Sequence, residues 1–429
     1  MPAPDSARTD PIVVTGMGAV SPLGVGVGAN WQALLDGRSG VTANDRFDVS
    51  DYACRIAGLV PPRAAGPHGF EPTEHADSRE LRKMDLFILY ALAATDEALA
   101  QAGWAPTDAP ALSRTATIIA TGVGGVPAIT AAVNTIAARG PRRLSPFVVP
   151  SFLPNLAAGQ VSIRHGFTGP LGAPTTACAA SAQAIGDGMR MILTGEVDVA
   201  VCGGTDACVD PISIGGFSAA RALATGFNNR PEAASRPFDR AHEGFVLSEG
   251  AATLVIERLS HAEARGATPL AWLTGYGTTA DAHHVTAGHE DGRGGRAAME
   301  RALTMAGRGP GDIDYVNAHS TSTPVGDAAE LAGLTALLGA RGRDLTITST
   351  KSATGHLLGA AGAIEAVFTV QALREGVVPR ALNLEDPMPE AAIFDLAADA
   401  HVRRPLRAAI SNGFGFGGVN ASLLFEKAA

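Results

Sequence analysis

The sequence predicts an α/β protein in which a similar unit occurs twice, and three observations favour this fold class. Short apolar runs with the character of strands alternate with longer Ala/Leu-rich segments of helical periodicity. The chain has 429 residues, which is too long for one small core. It is 46% hydrophobic and only 17% charged, as expected of a large, well-buried protein. We therefore expect α/β layers with largely parallel strands.

Local patterns assign the elements of this fold in chain order. Apolar runs at 12–16, 115–121 and 197–202 predict strands, and each is followed by a glycine-containing turn. Residues 82–102 carry apolar side chains at helical spacing and predict a helix. A run of small residues at 179–191 predicts a second helix.

Two segments of the chain resemble each other at a constant distance. Residues 244–247 (GFVL) precede the apolar run 252–258, and 169 positions later residues 413–416 (GFGF) precede the apolar run 421–427. Each segment combines a glycine turn with an apolar strand. A duplicated α/β unit explains this similarity together with the length of the chain.

The boundary between the two units is predicted in the polar residues 261–269, which are rich in Ala, Glu, Arg and Gly. It gives an N-terminal half of residues 1–262, which contains a candidate nucleophile. The C-terminal half, residues 263–429, contains candidate histidines, a lysine and a Gly/Phe loop. No long linker separates them.

Charge and cysteine usage exclude several classes of function. The net charge is −9 and no basic run is longer than residues 141–143, so a nucleic-acid partner is not expected. No apolar run is long enough to span a bilayer, and residues 1–10 lack the pattern of a signal peptide. The cysteines show no metal-binding or disulfide spacing; they are Cys54, Cys178, Cys202 and Cys208. The sequence predicts a soluble, cytoplasmic protein without a metal or a membrane partner.

Cys178 is the first candidate for chemistry, in the window PTTACAAS. It opens the predicted helix 179–191, and a helix N-terminus stabilises a thiolate through free N–H groups and the macrodipole. The pattern therefore predicts a nucleophile of lowered pKa. The alternative for this window alone is a buried structural cysteine.

His319 is the second candidate, in NAHSTSTPVGD. The apolar residues 315–316 predict the end of a strand, which is where α/β proteins bind ligands. The hydroxyls of Thr321 and Thr323 are available to a polar ligand. The alternative is a turn that caps a helix beginning at Ala328, and both interpretations could hold at once.

Lys351 and His356 stand together in STKSATGHLLGA and are predicted to head a bland, glycine-rich helix. A lysine in such surroundings needs a carboxylate partner or a lowered pKa. Asp327, Glu330 and Glu365 are the candidates, and the sequence does not choose among them.

Residues 412–418, NGFGFGG, are the last unusual window. The alternation of Gly and Phe argues against a regular strand or helix. Glycines allow positive φ and close backbone approach, and the phenylalanines could move on such a hinge. We interpret the segment as a gate with a backbone N–H for an oxyanion; the alternative is a tight turn with core aromatics.

Together these motifs resemble the β-ketoacyl-acyl carrier protein synthases, most closely the elongating type II enzymes. The resemblance runs from about Ile12 to Phe425, with TTACAASA, NAHSTSTPVGD, STKSATGHLLGAAG and NGFGFGG in the family's order. It implies the thiolase fold, two similar halves in a five-layer αβαβα sandwich, and usually a homodimer, with a heterodimer with a related subunit as the other arrangement.

The resemblance also implies a reaction, the decarboxylative Claisen condensation of an acyl thioester with malonyl-acyl carrier protein in fatty acid elongation. Cys178 would carry the acyl group, and the N–H groups of Cys178 and Phe416 would form the oxyanion hole. His319 and His356, as neutral imidazoles, would assist decarboxylation, and Lys351 would orient the site electrostatically. No cofactor of the enzyme's own is implied, because phosphopantetheine arrives on the carrier protein.

Substrate and partner contacts follow from the same resemblance. Thr321 and Thr323 match positions that bind the phosphopantetheine arm, Val123, Phe217 and Phe414 match positions at the substrate, and Phe416 matches the gate. Because carrier proteins are acidic and this chain is too, a local basic patch is needed for docking. Its predicted members are Arg79, Arg82, Lys83, Arg142, Arg143 and Arg221.

One residue departs from the family pattern, and several rival functions exist. The family usually has glycine where this chain has Ser320, which could restrict φ or perturb His319.

A thiolase would need a second cysteine in residues 412–418, and a coenzyme A-primed synthase would pair His with Asn. A non-catalytic chain-length factor would normally lack Cys178. A ketosynthase of a dedicated polyketide or polyene pathway stays open as the alternative.

Overall fold

The computed structural model describes residues 10–339 and 344–428. Residues 1–9, most of the N-terminal segment that was compared with a signal peptide, lie outside this range. The strands are β1 (Ile12–Ser21), β2 (Gly24–Val25), β3 (Val41–Ala43), β4 (Ile56–Gly58), β5 (Thr115–Ala120), β6 (Leu171–Gly172), β7 (Val199–Asp206), β8 (Gly250–Arg258), β9 (Ala271–Ala280), β10 (Tyr315–Asn317), β11 (Thr346–Thr348), β12 (Val377–Val378), β13 (Val402–Arg403), β14 (Ala408–Gly415) and β15 (Val419–Lys427). The helices are α1 (Val27–Leu35), α2 (Leu86–Ala102), α3 (Ala109–Ser113), α4 (Val126–Arg139), α5 (Val148–Phe152), α6 (Leu156–His165), α7 (Ala180–Leu193), α8 (Pro211–Ala219), α9 (Leu259–Ala264), α10 (Arg293–Ala306), α11 (Pro324–Leu338), α12 (Lys351–Thr354) and α13 (Ala361–Glu375).

The main sheet consists of two half-sheets with equivalent strand orders. From the outer edge inward, one runs β6-β5-β7-β8-β1 and the other runs β11-β10-β14-β15-β9. They meet where β1 pairs antiparallel with β9, through Ile12 opposite Leu273 and Val14 opposite Ala271. The short β2 extends β1 as a hairpin. The repeated order confirms that the fold is duplicated.

Helices form three layers around the two half-sheets. On the outside, α2 packs on β1, β7 and β8, and α6 packs on β5, whereas α10 packs on β9 and β15 and is itself covered by α11. Between the half-sheets lie α7 and α13, which contact each other and strands of both halves. This is the predicted αβαβα sandwich. Among the described helices, none is both long and apolar enough to cross a membrane.

The prediction of largely parallel strands is wrong. β5 pairs in parallel with β6 and β7, and β10 with β11 and β14. The strands nearer the junction, by contrast, are antiparallel: β7–β8–β1 in one half and β14–β15–β9 in the other. Strand–helix alternation in the sequence does not distinguish these cases, because the inner strands are covered on both faces and are as apolar as parallel ones.

The sequence repeat corresponds to equivalent strands only in its second part. β8 begins at Gly250 and β15 begins at Val419, which is the predicted offset of 169 residues. Residues 244–247, by contrast, lie outside the strands and form isolated bridges with Leu223 and His356. Their supposed counterpart, 413–416, belongs largely to β14, whose topological equivalent is β7.

The individual predicted elements are confirmed with small shifts. The strands predicted at 12–16, 115–121 and 197–202 are β1, β5 and β7. The helices predicted at 82–102 and 179–191 are α2 and α7, of which α2 begins four residues later, at Leu86, after a short 3₁₀ turn at Leu81–Lys83.

Candidate active site

Cys178 lies in the turn that enters the central helix α7. Residues Ala177–Ala179 form one 3₁₀ turn, from which α7 continues at Ala180. Ala177 has a φ of 50°, an uncommon conformation for a residue with a Cβ and one that is found at turns holding functional side chains. The predicted location of Cys178 at a helix N-terminus is therefore confirmed.

The Gly/Phe segment runs directly past this turn, and its predicted irregular structure is wrong for the first half. Residues 412–415 belong to β14, which pairs with β15, and only residues 416–418 form a turn. Glycine is needed because the strand crosses the cysteine turn closely: a Cβ on Gly415 would lie 2.8 Å from the carbonyl oxygen of Thr176. This close approach brings the backbone N–H of Phe416 towards the sulfur of Cys178, where it favours the thiolate and so acts to lower the pKa of the thiol.

Two histidines from the other half of the chain face the same sulfur. His356 Nε2 lies 2.9 Å from Cys178 Sγ. The ring centroids of His319 and His356 are 5.5 Å apart in an edge-on arrangement. One ring nitrogen of each histidine and the cysteine sulfur all lie within 4.8 Å of one another. The three side chains therefore converge on a space that one small reacting group can occupy.

The loop that carries His319 follows β10 and is held by two carboxylates of α11. Glu330 accepts hydrogen bonds from the backbone N–H groups of His319, at 2.9 Å, and Ser320, at 2.7 Å. Asp327 accepts one from the N–H of Ser322 at 3.1 Å. The helix begins at Pro324, four residues earlier than predicted. The strand end and the polar loop are thus both confirmed.

Lys351 pairs with Glu365 on α13, so the structure selects one of the three candidate partners. The two side chains form an ion pair in which both are almost fully buried. Asp327 and Glu330 bind loop backbone instead. Lys351 starts the single turn α12, and the long helix α13 begins only at Ala361, so the predicted helix is divided in two.

Burial and the charge of Lys351 set the ionisation of the site. Burial raises the pKa of Cys178 to about 12, although Lys351 and the N–H of Phe416 act in the opposite direction. The lowered pKa predicted from the helix N-terminus is therefore wrong, since loss of solvation outweighs these stabilising contacts. Burial, and next the charge of Lys351, hold the pKa of His319 and His356 well below the usual range for histidine. Both imidazoles are neutral at neutral pH.

An open cavity of about 400 Å³ leads from the surface to His319. Thr321, Thr323, Phe414 and Phe416 line it, as the sequence predicts for substrate contacts. The hydroxyl oxygens of Thr321 and Thr323 are 3.1 Å apart, so they can bind one polar group together. Phe414 lies next to His319, with ring centroids 5.7 Å apart.

Phe217 and Val123 both belong to the N-terminal half of the chain. Phe217 packs edge-on against Phe245, which in turn packs edge-on against His356. Phe217 and Cys178 border the same apolar cluster. Val123, in contrast, is 42% exposed.

The predicted docking residues lie in two places. Lys83 reaches over the ring of Phe147, which joins the segment at 79–83 to the segment at 142–147. Arg221 is separate from them and lines the cavity described above. Apart from the half-buried Lys83, the residues of the set are exposed: Arg79, Arg82, Arg142, Arg143 and Arg221.

Asp206 is a site residue that no sequence motif identifies. Its buried carboxylate accepts hydrogen bonds from the hydroxyl of Thr121 at 2.6 Å, the N–H of Gly122 at 2.9 Å and the N–H of Gly359 at 2.6 Å. Burial raises the pKa of this carboxylate to about 6, although the N–H of Val123 also acts to lower it. Asp206 thus connects the turn at Val123 with the segment that follows His356. The only signal was an acidic residue at the end of an apolar strand, in CGGTD.

Removing the charge of Lys351 is expected to destabilise the protein. In Lys351→Met, Glu365 is left buried without a partner, so we expect a loss of about 3 kcal/mol in the free energy of unfolding. Burial already raises the pKa of Glu365 to about 7. Without Lys351 the pKa of Glu365 rises further. As pH increases, Glu365 ionises in the folded wild-type protein but keeps its proton in the folded variant, so the loss of unfolding free energy grows with pH.

Urea unfolding at pH 6 and pH 8 measures this effect. The matched control is Lys351→Met/Glu365→Leu, which removes both charges and is expected to recover most of the stability. Equal stability of the single and double variants at pH 8 would contradict a buried, paired Lys351.

The raised pKa of Cys178 predicts how its alkylation depends on pH. Only the thiolate reacts, so the iodoacetamide rate at Cys178 should rise about tenfold for each pH unit between pH 7 and pH 9.5, without a plateau. Peptide mass spectrometry of the alkylated protein measures this rate. A plateau near neutral pH would show instead a thiol of lowered pKa.

Comparisons with known proteins agree with this geometry. Residues 9–262 match the model of the beta-ketoacyl synthase N-terminal domain, and residues 270–385 match that of the C-terminal domain. The chain is 46% identical over 416 residues to 3-oxoacyl-[acyl-carrier-protein] synthase 2 of Rhizobium meliloti, covering 97% of this chain and 98% of that protein. It is also 46% identical to a mitochondrial 3-oxoacyl-[acyl-carrier-protein] synthase of Arabidopsis thaliana, covering 96% of this chain and 92% of the relative.

A solved structure shows the same fold. It is a type II polyketide synthase acyl carrier protein in complex with its ketosynthase, with a TM-score of 0.87 and 28% identity over 98% of this chain and 100% of that chain. Family models match more than half of the chain, and the relatives are similar over nearly its whole length. The chain therefore belongs to the β-ketoacyl synthase family.

Proposed function

We propose that the chain is an elongating 3-oxoacyl-[acyl-carrier-protein] synthase. It condenses an acyl group with malonyl-acyl carrier protein to give β-ketoacyl-acyl carrier protein and CO₂. The observation that carries this proposal is the convergence of Cys178, His319 and His356 beside the N–H of Phe416. A nucleophile, hydrogen-bond donors for an enolate and an oxyanion donor are thereby present in one site.

The first half-reaction transfers the acyl group to Cys178. The sulfur attacks the thioester carbonyl, and its proton passes to His356 Nε2, 2.9 Å away. The tetrahedral oxyanion is stabilised by the N–H groups of Cys178 and Phe416. When this intermediate collapses, the C–S bond to the carrier protein breaks and the leaving phosphopantetheine thiol takes the proton.

The second half-reaction joins the malonyl unit to the acyl group. Neutral His319 and His356 donate hydrogen bonds to the malonyl thioester oxygen, and loss of CO₂ leaves the bonding electrons in an enolate. The enolate carbon attacks the acyl carbonyl, and cleavage of the acyl–sulfur bond releases Cys178 as a thiolate, which takes up a proton from solvent. Because the charge on the thioester oxygen develops only during decarboxylation, these donors favour the transition state over the bound substrate.

The substrates reach the site through the cavity beside His319. The hydroxyls of Thr321 and Thr323 bind the phosphopantetheine arm of the carrier protein, and Phe416, which is 41% exposed, acts as the gate. The acyl chain extends past Phe217 and Val123. Phosphopantetheine arrives with the carrier protein, and the absence of a metal or a cofactor of the enzyme's own stays a prediction.

Acyl carrier protein is the proposed partner, and the exposed basic residues are its proposed docking surface. They are Arg79, Arg82, Lys83, Arg142, Arg143 and Arg221. Their charge complements an acidic carrier protein although the whole chain carries −9. Arg221 lines the cavity through which the arm would enter, which supports its assignment.

We also propose a homodimer. Helix α4 has no buried residue, and Ile129, Val133 and Ile136 are exposed along one of its faces. The edge strand β6 presents the exposed Leu171. Exposed apolar side chains on a helix and an exposed edge strand are both typical of an interface between subunits. The cytoplasmic location and the division of the chain at residues 262/263 stay predictions.

A panel of acyl carrier proteins tests the function. The enzyme is incubated with malonyl-acyl carrier protein and with saturated acyl chains of graded length, and the β-ketoacyl product and CO₂ are measured. Condensation of saturated chains is the expected result. Turnover only of unsaturated or polyketide-like chains, or only with a related subunit, would place the enzyme in a dedicated polyketide pathway. No turnover of any chain would contradict the proposal.

A further inference from the structure

Ser320 follows His319 directly, and its side chain points away from the substrate cavity. It is 1% exposed and is not among the residues that line the cavity. Its φ lies outside the positive range, so the Cβ that distinguishes it from the family's glycine introduces no backbone strain. The restriction of φ that the sequence analysis considered is therefore not found.

The hydroxyl of Ser320 donates a hydrogen bond of 2.8 Å to Glu330 Oε2, the same oxygen that accepts its backbone N–H at 2.7 Å. The other oxygen, Oε1, accepts the N–H of His319 at 2.9 Å and the side-chain amide of Asn412 at 3.0 Å. Asn412 is itself fixed by the hydroxyl of Ser422 at 2.8 Å. Glu330 is thus held by four donors.

This carboxylate holds the backbone at His319 through its N–H group. Glu330 is buried and belongs to α11, whereas His319 and Ser320 belong to the loop after β10. The hydrogen bonds from the backbone N–H groups of His319 and Ser320 therefore join this loop to α11. A carboxylate in such surroundings needs donors on both oxygens, because an unsatisfied lone pair is costly there. Glycine at position 320 would supply only the backbone N–H to Oε2.

We propose that Ser320 is a positioning residue for His319, acting through its hydroxyl on Glu330. The inference rests on the proposed function, since the step it affects is decarboxylation of the malonyl unit. Ser320 itself touches neither substrate nor thiol. The hydroxyl keeps the carboxylate in the rotamer that binds both backbone N–H groups, and so keeps the imidazole of His319 aimed at the malonyl thioester.

Ser320→Ala tests this role. Loss of a hydrogen bond to a charged group predicts that the rate constant for CO₂ release from malonyl-acyl carrier protein falls about tenfold. KM for malonyl-acyl carrier protein and the rate of acyl transfer to Cys178 should stay unchanged, because neither depends on the position of His319. Radiolabelled CO₂ release and acylation followed by intact mass spectrometry measure the two steps separately.

Ser349→Ala is the matched control. Ser349 is equally buried and its hydroxyl donates to the carbonyl oxygen of Ser320 at 2.7 Å, so it fixes the same loop without contacting Glu330. We expect a similar loss of melting temperature in both variants, but less than about a twofold change in CO₂ release for Ser349→Ala. Equal losses of CO₂ release would show that general loop stability, and not the contact with Glu330, is responsible.

A double-mutant cycle tests the route through Glu330. In the Glu330→Gln background, Ser320→Ala should add less than about a twofold loss, because the acceptor is already changed. Additive losses would overturn the proposal, as would an unchanged CO₂ release in Ser320→Ala alone. If the wild-type protein performs no condensation at all, the proposed function fails instead, so the two failures are distinguishable.

Discussion

Cys178→Ala is expected to abolish both acylation and condensation, the largest effect of any single substitution in this chain. Among the four cysteines, only Cys178 lies beside the two imidazoles and is partly exposed, because Cys54, Cys202 and Cys208 are buried. Intact mass spectrometry after incubation with acyl-acyl carrier protein should show no mass increase. Product formation should fall by at least about four orders of magnitude, as for loss of a covalent nucleophile.

Decarboxylation of malonyl-acyl carrier protein should nevertheless persist in Cys178→Ala. Glu330 accepts the backbone N–H of His319, and the backbone N–H of His356 donates to the carbonyl oxygen of Val246, so the backbone at neither histidine depends on the thiol for its position. Cys208→Ala, which removes a buried thiol from the apolar cluster bordered by Cys178, is the matched control and should retain acylation. Condensation by Cys178→Ala would contradict the assignment of the nucleophile.

The two histidines are expected to differ when each is replaced by alanine. His319→Ala should acylate Cys178 at a normal rate but release CO₂ at least about a hundredfold more slowly, because its imidazole serves only the enolate. His356→Ala should slow both steps, since its Nε2 also lies 2.9 Å from the sulfur, whose raised pKa makes a proton acceptor necessary.

Rapid-quench measurement of acylation, combined with CO₂ release, separates the two variants. Loss of acylation in His319→Ala would show that this residue also serves the thiol. Normal acylation in His356→Ala would show that the sulfur loses its proton by another route. Either result would require the two roles to be reassigned.

The fold could be predicted in outline, because local periodicity identifies elements even when pairing is unknown. β1, β5, β7, α2 and α7 all lie close to their predicted positions. The direction of the inner strands could not be predicted, since β8 and β15 are buried on both faces and carry the apolar composition of parallel strands. The strand character of residues 412–415 was also missed, because the glycines there reflect close contact with the cysteine turn rather than a hinge.

The site residues could be identified from motifs, but their ion-pair partners and the directions of their pKa shifts could not. Asp327, Glu330 and Glu365 are all buried acidic residues on helices, and only tertiary packing shows that Glu365 alone meets Lys351. The direction of the pKa shift of Cys178 depends on how deeply the thiol is enclosed, which a helix N-terminus in the sequence does not reveal. Asp206 was missed for the same reason, since its partners come from two separate segments, at 121–122 and at 359.

The most direct test of the account is a single turnover on isolated acyl-enzyme. The wild-type protein is acylated with one saturated acyl-acyl carrier protein, purified, and mixed with malonyl-acyl carrier protein, and its intact mass is followed with time. The acyl mass is expected on the peptide of Cys178, and it should be lost at the rate at which CO₂ and the β-ketoacyl product appear. An acyl mass on another residue, or one that malonyl-acyl carrier protein does not discharge, would contradict the proposed mechanism.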